Sequence, residues 1–202
     1  MNVEDLRSEP FLWIHLLGIA VFPIFVGITI VGLSIGDSNY FVLELLFLIA
    51  VGVLPIFLMQ LKRPFDIFSI LFLSLKPEYL SDRQKIILSL FKRLRQKVLS
   101  AITAVFMTIF IWLLYRVSPL GIGVADFLPQ QRILGLEIAG IGFLAANLFL
   151  QIPLGVLLVL STQPAKLTQI NPYSGNKIQQ DFTIVGMKST QILWFVESEA
   201  KS

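Results

Sequence analysis

The sequence contains no cysteine. Disulfide cross-links, thiolate nucleophiles and cysteine-ligated zinc or iron–sulfur centres are thereby excluded. It contains one histidine, His15, and a single imidazole builds no metal site without further ligands at a useful spacing. With His15 alone, a Ser-His-Asp hydrolase is disfavoured. Neither a P-loop nor a G-x-G-x-x-G string occurs, so the usual phosphate-cradling signatures are missing. Charge is scarce as well. Only 14% of the 202 residues are charged while 55% are apolar, whereas soluble domains carry about 25% charge. That leaves too little polar surface to cover a globule, which excludes an ordinary soluble enzyme and a disordered chain. It predicts an integral membrane protein.

About 20 mostly apolar residues cross a hydrocarbon core about 30 Å thick. Four segments qualify, within 11–61 (spans one and two) and 98–160 (spans three and four). They are read as helices, because open strands leave backbone groups unsatisfied in lipid. The expected fold is therefore all-α, with four transmembrane helices. Segment 1–10 holds Glu4, Asp5 and Glu9 against Arg7, unlike the basic start of a cleaved signal peptide. Ser8 is a candidate N-cap, with Pro10 in the first turn. Pro23, Pro55 and Pro153 are expected to interrupt spans one, two and four.

Fourteen of the sixteen basic residues fall in the N-terminal segment, the 62–97 loop and the 161–202 tail. Only Arg116 and Arg132 lie on the other side. Basic residues favour the cytoplasmic side, so both termini are expected to be cytoplasmic. Within the loop, the apolar stretch Pro64–Leu75 is too short to cross and reads as interfacial or re-entrant. Ser81-x-x-Gln84 has the form of a capping box. From Asp82 a helix is predicted to run unbroken through Lys97 into span three, roughly 55 Å at 1.5 Å per residue. Ile87, Leu90, Phe91, Leu94 and Val98 make its apolar stripe. Arg83, Lys85, Lys92, Arg93, Arg95 and Lys97 make a basic face suited to an anionic membrane surface or a protein partner. Stacking aromatics are not interleaved there, which argues against nucleic acid. In the tail, Phe182–Val185 and Ile192–Val196 read as short strands around a turn at Gly186.

Ionisable groups within spans are the first candidates for function. Glu44 and Glu137 stand in the first turns of spans two and four, where a carboxylate complements the helix dipole. With Arg116 and Arg132 they form a predicted interfacial charge cluster. No charge marks the centre of a span, which counts against a pump. His15 is a candidate hydrogen-bonding residue or a one-sided pigment ligand; no metal and no other cofactor is expected, chlorophyll or carotenoid being the open alternative. Gly32-x-x-x-Gly36 and Gly142-x-x-x-Ala146 offer small surfaces for close helix approach. Asn147 and Gln151, four apart, share a face that should turn away from lipid.

Four stretches carry a resemblance: Glu9-Pro10-Phe11-Leu12-Trp13-Ile14-His15-Leu16, Gln60-Leu61-Lys62-Arg63-Pro64-Phe65, Leu75-Lys76-Pro77-Glu78 and Ala145-Ala146-Asn147-Leu148-Phe149-Leu150-Gln151. Together they resemble the cyanobacterial low-complexity tail membrane proteins. That resemblance implies no particular activity; it implies a cyanobacterial, thylakoid membrane and the company of photosynthetic complexes. The tail here is short and only mildly biased, so a role for a long repetitive tail does not carry over. The expected function is non-catalytic binding, stabilisation or assembly of a larger thylakoid complex. A small oligomeric transporter or channel subunit is the alternative, and a membrane enzyme acting on lipid or pigment the third.

Overall fold

The computed structural model describes residues 6–70, 73–163 and 170–190. Among them, four helices are long and apolar enough to cross a membrane: Pro10–Ser34, Phe41–Lys62, Leu94–Ala125 and Arg132–Leu160. The prolines act unequally. Span one passes through a 3-10 turn, Gly18–Val21, before Phe22–Ser34, and span two breaks at Val53 before Leu54–Lys62. Pro23 and Pro55 each sit in the first turn of the piece that follows, where a missing N–H costs nothing. Pro153, expected to interrupt span four, lies inside an unbroken helix.

The chain divides into two compact units. Unit two comprises Leu17–Leu58 and Leu99–Pro153. Its core includes the fully buried Leu48, Met107, Ile111, Ala139 and Phe143. Spans one and four cross backbone to backbone: a Cβ placed on Gly32 would lie 2.5 Å from the Ala139 amide nitrogen and 2.7 Å from the Gly135 carbonyl oxygen. Gly142 faces Thr29 in the same way, its Cβ position 3.0 Å from the threonine Oγ1. Gly36 also meets the start of span four, its Cβ position 2.9 Å from the Arg132 amide nitrogen, and it has a second role. It turns the chain after span one with φ of 63°, and its N–H donates to Gln130 Oε1 at 3.1 Å.

Unit one comprises Met1–Leu16, Met59–Val98 and Leu154–Ser202. Here the all-helical expectation is supplemented. The short apolar stretch after Pro64, expected to be interfacial or re-entrant, is strand-forming. It supplies β1, Ser69–Ile70, and β2, Leu73–Leu75, which pair antiparallel. β3, Met187–Ser189, joins β2 in parallel, with Leu73 opposite Met187. The tail strand predicted at Phe182–Val185 is thus displaced: Thr183 makes only an isolated bridge to Phe65, and pairing begins after Gly186, whose φ of 90° turns the chain. The second predicted strand, Ile192–Val196, lies outside the described residues.

The capping box is present. Ser81 Oγ accepts from the Gln84 amide, and Gln84 Oε1 accepts from the Ser81 amide. The helix it opens, Asp82–Phe91, stops at Lys92–Arg93, and Leu94 starts a new one. The continuous rod is therefore replaced by two helices, and the apolar stripe ends with the first. Ile87, Leu88, Leu90 and Phe91 are buried in a core with Phe11, Leu12, Phe68 and Phe182, while Leu94 and Val98 are 75% and 50% exposed. Protein, not lipid, covers this helix's apolar face. Ser8 does not cap span one, whose helix begins at Pro10; its Oγ instead accepts from Arg83 Nη2 at 2.6 Å.

Candidate functional site

Within unit two, the turns that join the spans converge on Arg132. Its Nη1 donates to the main-chain carbonyls of Leu33 at 2.9 Å and Ile35 at 3.0 Å. These lie at the C-terminal end of span one, where a cation satisfies leftover carbonyls and the negative end of the dipole. Its Nη2 pairs with Glu44 Oε2 and reaches Tyr115 Oη at 3.0 Å. Glu44, in the first turn of span two, is buried. Its Oε2 also accepts from Tyr115 Oη at 2.6 Å and from Ser38 Oγ at 2.8 Å. One guanidinium thus ties together groups from all four spans. A cleft of about 380 Å³ opens beside the pair, lined in part by Asp37, Tyr40, Leu43, Glu44, Phe47 and Arg132.

The predicted charge cluster is therefore half assembled. Glu44 and Arg132 meet. Arg116 points elsewhere, its guanidinium carbon 4.7 Å from the Trp112 ring centroid, and Glu137 is exposed. Tyr115 and Ser38 were not anticipated. A tyrosine one residue before a basic residue at a span end was the available signal for the first, and nothing marked the second.

A second polar chain runs through the buried part of unit two. Ser100 Oγ donates to Gln151 Oε1 at 2.8 Å, Gln151 Nε2 to Asn147 Oδ1 at 3.1 Å, and Asn147 Nδ2 to the Gly52 carbonyl at 2.9 Å. Gly52 stands at the break ahead of Pro55. The shared face of Asn147 and Gln151 does turn inward, and it feeds the carbonyl at that break. Neighbouring helices commonly re-satisfy freed backbone groups in this way. Ala146, beside it, is fully buried.

Gly32-Leu33-Ser34-Ile35-Gly36 spells G-x-S-x-G. Its context is the wrong one. A nucleophile elbow stands between a strand and a helix, but Ser34 ends a helix. Its hydroxyl bonds the Ile30 carbonyl at 2.7 Å and the Ser118 carbonyl.

In unit one the basic face is divided. Arg83 turns to Ser8, Lys85 pairs with Asp82 at 3.5 Å, and Lys92 donates to the Lys62 carbonyl at 3.1 Å with its Nζ 5.3 Å from the Phe182 ring centroid. Burial pulls the Lys92 ammonium below its ordinary range. Arg93, Arg95 and Lys97 remain outward. Two acids lie inside. Burial raises the Glu9 carboxyl against the opposing field of Arg83, and its Oε1 is buried without a partner among the described residues. Asp66 is fully buried. Its Oδ1 accepts from the Phe68 amide at 3.0 Å, its Oδ2 has no partner among the described residues, and burial pushes its pKa up to about 6. Burial and the 2.5 Å bond to Asp181 push Tyr173 up to about 12. His15 Nδ1 bonds the Phe11 carbonyl at 2.8 Å, and its ring stands 5.6 Å from that of Phe65. One ring nitrogen is thus already engaged. Among the described residues no group of three or more His, Asp or Glu side chains is placed to hold a metal ion.

A family model described as low-complexity tail membrane protein-like matches residues 8–194. No curated protein and no solved structure matches the chain.

Proposed function

We infer that this chain, which belongs to the low-complexity tail membrane protein-like family, is a non-catalytic membrane protein that holds a larger complex together in a thylakoid membrane. One observation carries the reading: the middle loop and the tail, with the start of span one and the end of span four, fold into a compact unit. The N-terminal segment, the middle loop and the tail share one apolar core, and the loop and the tail also share one three-stranded sheet. Loops that merely connect spans need no such core. A folded body with outward Arg93, Arg95 and Lys97 suits the recognition of a protein partner.

The polar groups within the spans fit the same picture. Arg132 and the Ser100–Gln151–Asn147 chain spend their hydrogen bonds on neighbouring helices, which stiffens the bundle, and Glu44 Oε2 already accepts from three donors. The thylakoid setting and a photosynthetic partner rest on the family resemblance alone. The experiment is affinity capture of the tagged full chain from gently solubilised native membranes. The expected result is a reproducible, stoichiometric membrane-protein partner that is lost when Arg93, Arg95 and Lys97 are changed to glutamate. Recovery only as a free protein in every detergent tried overturns the proposal.

A further inference from the structure

The other buried or bridging arginines of unit one have partners. Arg63 donates to the Gln179 and Phe182 carbonyls at 2.8 and 2.9 Å, and Arg83 to Ser8. The guanidinium groups of Arg93 and Arg95 have no hydrogen-bond or ion-pair partner among the described residues, yet both line one cleft. Ser161 and Thr162 line it with them, and Leu158 and Val159 supply an apolar wall. No carboxylate is among the lining residues. Two fixed positive charges therefore face a space that the protein fills with nothing negative.

The position of the cleft along the chain gives it a depth. Arg93 immediately precedes the third span, which begins at Leu94, and Ser161 immediately follows the fourth, which ends at Leu160. Residues at span ends lie where the hydrocarbon gives way to headgroups. The side chains have the matching chemistry. A guanidinium presents a planar fork of donors that fits two phosphate oxygens at once. The Thr162 hydroxyl makes only a long 3.4 Å bond to the Leu158 carbonyl, so it can turn to donate to a third oxygen. Leu158 and Val159 offer apolar contact to a glycerol backbone and the first methylenes below it.

We propose that this cleft binds the phosphodiester headgroup of an anionic glycerolipid. The proposal shares Arg93 and Arg95 with the complex-stabilising reading above but does not rest on it, since binding is read with no protein partner present. It also differs from diffuse attraction of a basic surface, because it assigns the binding to two arginines rather than to total charge.

The test uses the full chain in nanodiscs of phosphatidylcholine with a minority of phosphatidylglycerol. Bound phosphatidylglycerol is counted by native mass spectrometry and its affinity found by titration. At about 1 kcal/mol for each basic residue near a membrane surface, Arg93→Gln with Arg95→Gln is expected to weaken binding on the order of tenfold to thirtyfold. Lys177→Gln with Lys188→Gln removes the same charge from the exposed tail outside the cleft and is expected to change it less than about twofold. Arg93→Lys with Arg95→Lys, which keeps charge but loses the fork, is expected to fall between the two. Equal loss from both glutamine pairs, or no loss from the first, overturns the proposal. Displacement of the lipid by millimolar inorganic phosphate overturns the lipid as the source and leaves a site for free phosphate. Circular dichroism of each variant in the same nanodiscs separates lost binding from lost fold.

Discussion

Replacing Arg132 by methionine isolates the clamp at the span ends. The side chain keeps an unbranched apolar stem and loses its charge and all its donors. Glu44, whose side chain is 8% exposed, is left with a buried charge, and the Leu33 and Ile35 carbonyls lose their donor. Breaking a buried pair by removing one partner costs about 3–5 kcal/mol. Arg132 is 16% exposed, which favours the bottom of that range, about 3 kcal/mol, and the two lost carbonyl bonds together add about 0.5–1 kcal/mol after relaxation. The expected total is about 3–4 kcal/mol. Glu44→Gln keeps the acceptor oxygen and should cost about 1–2 kcal/mol. The double variant removes both charges together, so it should cost about 2–3 kcal/mol, well short of the sum of the singles. The coupling read from this cycle is then about 2 kcal/mol. Arg132→Lys, which keeps one charge but cannot serve span one, span two and Tyr115 together, should lose about 1–2 kcal/mol. Reversible unfolding in mixed micelles with increasing dodecyl sulfate measures all four. A coupling under about 0.5 kcal/mol, or a double variant as costly as the two singles added, refutes the clamp.

Other expectations follow from the same geometry. Gly32→Ala puts a methyl group against the backbone of span four and should destabilise by about 1–3 kcal/mol. Gly27→Ala meets nothing within 4 Å and should be neutral or stabilising by up to about 1 kcal/mol through helix propensity; the two variants compared in one unfolding assay give opposite signs. Asn147→Leu strips the Gly52 carbonyl of its donor and should cost about 1–2 kcal/mol, with Ser100→Ala milder because it sits at the end of the chain. Asp66 has its folded pKa raised from 3.8 to about 6, so the folded state holds this proton more tightly. The stabilising contribution is full below about pH 4 and is lost as the pH rises through about 6. Asp66→Asn keeps the acceptor for Phe68 and removes the charge; it should stabilise at neutral pH by about 1–3 kcal/mol and flatten that part of the stability–pH profile, which chemical unfolding at pH 5 and pH 7.5 measures.

The parts of this fold that were legible in the sequence are those set by solvent alone. Four long apolar runs announced four spans, because lipid demands length and apolarity whatever the packing. Ser81 and Gln84 announced their capping box, because its partners are three residues apart. Asn147 and Gln151 announced an inward face by their spacing of four. What stayed hidden depends on partners far away in the chain. Nothing near Asp66 signals that it will be buried, and its amide pairs with the Thr183 carbonyl, more than a hundred residues on. The stop at Lys92–Arg93 lacks proline or glycine, and its cause is tertiary: Phe91 is held in the core of unit one while Leu94 starts a span. Arg116 and Arg132 looked equivalent at one membrane face. Only packing distinguished them, by bringing the ends of spans one, two and three to Arg132.

The parallel pairing of Leu73–Leu75 with Met187–Ser189 bears on the order in which the molecule can be made. Translation delivers β2 more than a hundred residues before β3, and both spans three and four are synthesised in between. The sheet therefore cannot close until the ribosome has passed the last membrane crossing. Until then the amphipathic helix Asp82–Phe91 and the strands before it lack the part of their apolar cover that Ile170, Ile178 and Phe182 supply. Completion of this small sheet reports that every span has been threaded, and a chain halted after the third span leaves that surface exposed to chaperones and proteases.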